Sequence, residues 1–175
     1  MLAITTVTIN SRFRVVVLLD NGSNSTLITH RLAKELMLKG CLVMQEVELC
    51  GKEAEIQQVT YYNIRLTMPE GDTVSIRLIG VERIASNPGS YDVSVAYKLF
   101  PQHKRPTLDK PDGDVELLIG ADQIRFMPSG GQGKNTVGNL RVYDIPLPPY
   151  VVLMGSHPRI SFINPTLTPA ASQMR

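Results

Sequence analysis

The stretch VVVLLDNGSNSTLI, residues 15–28, decides how this chain is read. Branched apolar residues run without a break into one acid, Asp20. A strand that is apolar on both faces is buried on both faces. A carboxylate at its end costs free energy unless neighbours or a function compensate. Taken alone, Asp20-Asn21-Gly22-Ser23 also has the composition of a plain β-turn, and Asn-Gly is a strong hairpin signal. A second stretch shifts the balance. LLIGAD, residues 117–122, is another apolar strand that meets a glycine and then an acid.

Outward from residue 15, the pattern predicts mostly strands. Residues 3–10 carry Ile4, Val7 and Ile9 among threonines and should pair as a hairpin with residues 13–19. A short return strand is expected at 25–28. Thr29 then has the chemistry to cap a helix from His30 to about Leu38, with Leu32, Ala33, Leu36 and Met37 on its apolar face and Gly40 ending it. Residues 43–49 alternate as a strand, and 56–68 and 73–81 form a hairpin about Pro69-Glu70-Gly71-Asp72. Residues 115–120 read as a buried strand followed by a short helix, 121–126. Late strands are expected at 140–145 and 150–154, after a Gly-rich span at 129–139. Residues 87–114 hold Pro88, Pro101, Pro106 and Pro111 and read as a long surface excursion, with one short element near 93–99. Many short strands and few helices imply an all-β domain built as a closed or orthogonally packed barrel.

Composition narrows the function. The chain has 175 residues, enough for a core without staples, with 43% hydrophobic and 19% charged residues. A net charge of +2 is too small to argue for nucleic acid as a partner, and the small basic cluster at His103, Lys104 and Arg105 reads as a solvated loop, with nucleic-acid binding there as a weaker reading. Cys41 and Cys50 lack metal-ligand spacing and read as reduced, buried, small apolar residues of an intracellular protein. His30, His103 and His157 lie far apart, so no metal site is expected. The N-terminus lacks the layout of a signal peptide, and no apolar run approaches the roughly 20 residues of a membrane span.

Three segments in order carry a resemblance: LLDNGSNSTLITHRLAKEL (18–36), VELLIGAD (115–122) and PYVVLMGSHP (149–158). Together they resemble the retropepsin-like aspartic proteases, and in particular the peptidase domain of BEL/Pao-type LTR retrotransposon polyproteins. The resemblance covers residues 1–158, with 87–114 as an insertion and 159–175 as a tail or linker. It implies an all-β acid-protease barrel with one or two short helices and an active site at a homodimer interface. It implies that Asp20 is catalytic, with Asn21, Gly22, Ser23, Leu118, Ile119, Gly120 and Asp122 supporting the active-site loop. A substrate-binding flap is implied, and its best match is Cys50, Gly51, Lys52, Glu53 and Ala54. The implied activity is cleavage of the chain's own polyprotein, in the cytoplasm or within virus-like particles, with no cofactor, metal or membrane.

The chemistry of these residues agrees. An aspartic protease needs two carboxylates sharing one proton around a water molecule. One acts as general base on the water, and the other polarises the scissile carbonyl. A chain with one such motif needs a second copy, with Asp20 and its mate on a two-fold axis. Gly22 is expected to let the loop turn tightly, Gly120 to admit the crossing strand, and Asp122 to cap the amides of the helix that follows. The chain departs from the family at Asn21, where Ser or Thr is the rule; an amide both donates and accepts. The alternative reading is a protease-fold binding or scaffolding module with weak or no catalysis.

Overall fold

The fold is described from a computed structural model, which covers residues 2–9, 12–47, 55–67, 71–86, 93–101, 113–128, 136–147 and 151–156. It is mainly β. In chain order the elements are β1 (Leu2–Ile9), β2 (Phe13–Asp20), β3 (Leu27–Thr29), α1 (His30–Glu35), β4 (Cys41–Val47), β5 (Glu55–Thr67), β6 (Thr73–Val81), α2 (Val93–Leu99), β7 (Leu117–Gly120), a 3-10 helix (Ala121–Phe126), β8 (Thr136–Val137), β9 (Asn139–Asp144) and β10 (Val151–Ser156). Strands β1 to β7 form one sheet in the order β1-β2-β7-β3-β6-β5-β4, and β10-β9-β8 form a second. The larger sheet is mixed: β2 runs parallel to β7 and β3 parallel to β6, and its other pairs are antiparallel. It has two ends, β1 and β4, so hydrogen bonding among the described residues does not close it into a barrel.

The apolar run dictates where β2 sits. Val15 to Leu19 are all buried, with alternate residues serving different cores. Val15, Val17 and Leu19 join the main core with Leu117 and Ile119, α1 residues Leu32 and Ala33, and Phe126. Val16 and Leu18 join a smaller core on the other face, with Leu27, Leu118, Ile84 and Val115. Full burial of each such side chain contributes about 1.5–3 kcal/mol. Two-sided burial is also what allows β7 to enter as a parallel neighbour.

The described part of the proline-rich stretch is anchored. Ala96 of α2 and Phe100, just past its end, are buried with Leu140 and Val142 of β9, forming a third core. Strand β8 lies in the Gly-rich span, turning into β9 at Gly138, whose φ is +61°. The tail, 159–175, lies outside the described residues.

Two expectations are corrected. Helix α1 stops at Glu35, well short of Leu38, because Met37 takes a left-handed φ of 54°. Gly40 therefore does not end the helix; a Cβ there would lie 2.7 Å from Thr60 Cγ2 and 3.0 Å from Tyr62 Cε1. Cys41 is exposed, because it lies on the end strand of the sheet. Cys50 lies outside the described residues.

Candidate functional site

Strand β7 inserts between β2 and β3, which are neighbours in sequence. The loop 21–26 must therefore cross over the end of β7. Register places Asp20 directly opposite Gly120. The loop opens with a turn in which Ser23 N–H donates to Asp20 O at 3.1 Å. Gly22 N–H donates to Asp20 Oδ1 at 2.9 Å, which holds the carboxylate toward its own loop. Asp20 is 2% exposed in the single chain, while Asn21 and Gly22 are exposed beside it. Gly22 does not take a left-handed φ, and a Cβ there would stand 3.2 Å from Asp20 Oδ1. Its value lies in the close approach of its amide to the carboxylate.

The loop is latched to the end of β7 from two sides. Ala121 N–H donates to Ser23 O at 2.7 Å. Gly120 N–H donates to Thr26 Oγ1 at 3.1 Å, and Thr26 Oγ1 donates onward to Asp122 Oδ1 at 2.7 Å. A hydroxyl is suited to this relay because it accepts and donates at once. A Cβ at Gly120 would lie 2.5 Å from Ser25 O, so the crossing requires glycine on steric grounds. Asp122 makes no capping bond to the 3-10 helix; its carboxylate is turned to Thr26. The competing acceptor position, opposite a buried hydroxyl, outweighs the cap. Ser23 is fully buried and donates to Ser25 O at 2.9 Å. Leu118 and Ile119 are fully buried and take opposite faces of β7.

A second constellation braces the same strands further back. Glu116 precedes β7, is 9% exposed, and accepts from Thr29 Oγ1 and from Arg31 Nη2. Thr29 also accepts from Leu32 N–H at 3.2 Å, capping α1 as its position suggested. The hydrogen bond to Glu116, then its charge, raises the Arg31 pKa above the ordinary guanidinium value.

Pattern reasoning missed Thr26 and Glu116. Thr26 ends a run of small polar residues just before β3, and nothing local marks its partner 94 positions downstream. A buried-strand reading of 115–120 with a carboxylate inside it was the available signal for Glu116. The flap residues Cys50, Gly51, Lys52, Glu53 and Ala54 lie outside the described residues, although β4 and β5 pair up to Val47 and Glu55 on either side of them. Among the described residues no group of three or more His, Cys, Asp or Glu could hold a metal ion, and no helix is long and apolar enough to cross a membrane. The chain matches no protein-family model and no curated relative.

Proposed function

We propose that this chain is an aspartic endopeptidase of the retropepsin type, active as a homodimer on extended segments of its own polyprotein. The observation that carries the reading is the setting of Asp20: a carboxylate at the end of a doubly buried strand, held by Gly22 N–H, facing a glycine on an inserted strand. A turn in a plain hairpin needs no strand threaded through it.

Each chain brings one carboxylate to this loop, since Asp122 is engaged with Thr26. The exposed Asn21 and Gly22 give a second copy a surface to meet. Across a two-fold axis, Asp20 and its mate would share one proton and hold a water between them. The ionised carboxylate takes a proton from that water as its oxygen attacks the scissile carbonyl carbon. The protonated one donates to the carbonyl oxygen, giving a tetrahedral diol; the carboxyl that took the water's proton then gives it to the leaving nitrogen as the carbon–nitrogen bond breaks, and its mate takes a proton back from a diol hydroxyl. Strands β1 and β10 each end a sheet among the described residues and lie against each other, so a partner would meet them together. Substrate would lie as a strand, bound by main-chain hydrogen bonds and side-chain pockets.

One observation favours a second reading, a binding module of the same fold: the near-complete burial of Asp20 in the single chain. Peptide-library cleavage at mildly acidic pH, with sedimentation of the same sample, separates the two. The endopeptidase reading expects turnover from a dimer and none from Asp20→Ala. A monomer without turnover favours the binding module. Asp20→Ala cutting as fast as wild type removes both the dyad and its loop from consideration.

A further inference from the structure

Strand β5 changes partners along its length. Residues 61–67 pair with β6 and residues 55–61 pair with β4, so within the described part of β5 Tyr61 alone is paired on both sides. Beyond it, among the described residues, the arms of β4 and β5 pair only with each other. Leu42, Met44 and Ile56 are 63%, 62% and 72% exposed, as expected of a hairpin standing clear of the body. A two-stranded ribbon is marginal by itself, so its direction must be set at its base.

At that base sits Tyr62, whose Oη is 3.0 Å from His30 Nδ1. The rings meet edge to face, 5.9 Å between centroids. Two glycines from different segments leave the space. A Cβ on Gly80 of β6 would lie 2.5 Å from His30 Cε1 and 2.7 Å from Tyr62 Cε2. A Cβ on Gly40 would lie 3.0 Å from Tyr62 Cε1. His30 opens α1, directly after the return strand from the Asp20 loop. We propose that the His30–Tyr62 pair, seated between Gly40 and Gly80, is the pin that sets the angle of the β4–β5 hairpin relative to the Asp20 loop. Both are positioning residues, acting on peptide binding through the hairpin. The pin is independent of any activity; its effect on substrate rests on the endopeptidase reading.

Amide hydrogen exchange on the full chain reads the pin directly. Tyr62→Phe keeps the ring and removes the hydroxyl. Exchange in β4 and the outer half of β5 should rise roughly threefold to tenfold, with β2 and β7 unchanged. Gly80→Ala should do the same by pushing the two rings apart, and serves if Tyr62→Phe does not fold. His30→Leu should match Tyr62→Phe, while His30→Gln, which keeps an acceptor, should lie nearer wild type. On a peptide substrate, Tyr62→Phe should raise KM several-fold and leave kcat within about twofold. Unchanged hairpin exchange in the folded variants overturns the pin. Faster exchange with an unchanged KM overturns its positioning role. Faster exchange in a protein that cleaves nothing upholds the pin and removes the endopeptidase reading instead.

Discussion

The Thr26 hydroxyl accepts from Gly120 N–H and donates to Asp122 Oδ1, so one side chain ties the Asp20 loop to the end of β7. Thr26→Val should cost about 1–3 kcal/mol in chemical denaturation, since it leaves the Gly120 amide without its acceptor. Asp122→Asn keeps an oxygen for the Thr26 hydroxyl and should cost far less. Gly120→Ala should cost about 2 kcal/mol or more, because the added carbon meets backbone that cannot step aside. Asn21→Thr should leave cleavage level or raise it; a large loss would show that the amide has a role of its own. The acid at the end of an apolar run is visible in the sequence, because carboxylates are costly there. The latch that holds its loop is not, because Thr26, Gly120 and Asp122 converge through strand pairing that no local pattern encodes.

At the scale of elements, the strands were legible, as were the short elements at 93–99 and 121–126, and the end of α1 was not. Alternation and turn residues predicted β1, β5 and β6, and the unbroken apolar run predicted β2, each to within a residue or two, because a strand's burial is written in its side-chain pattern. Helix α1 was expected to reach Leu38, since its apolar face continues through Met37. The chain leaves the helix at Leu36, and Met37, 87% exposed, turns out into solvent. What stabilises so short a helix is its first turn, where Thr29 caps Leu32 and binds Glu116. Thr29→Ala should therefore lower stability by about 1–2 kcal/mol, more than an isolated cap, as read by thermal or urea unfolding. The raised Arg31 pKa sets the sign of the pH dependence. Its contribution is complete below the ordinary guanidinium value and fades only as pH rises through the higher folded value. From the Arg31 side, the brace should hold throughout the neutral and alkaline range, and stability followed against pH checks this.

At the scale of the whole molecule, three cores among the described residues divide the labour. Two flank the doubly buried strands, and the third joins α2 to β9. Composition could place the insertion on the surface but not show that Phe100 roots it. Phe100→Ala should release α2 to proteolysis while the Asp20 loop keeps its amide protection, because the third core shares no residue with the other two. The threading of β7 between β2 and β3 also governs when the molecule can finish folding. Strands β1 to β6 can leave the ribosome well before residues 117–120 exist to fill the gap between them. Contacts of such long range are slow to form, since loop closure must precede any gain from them. Pulse-labelled refolding should find the Gly120 amide among the last to be protected, after those of the β5–β6 hairpin. A nascent chain would carry Asp20 long before it carried a closed loop around it, so the same insertion that builds the site also delays it.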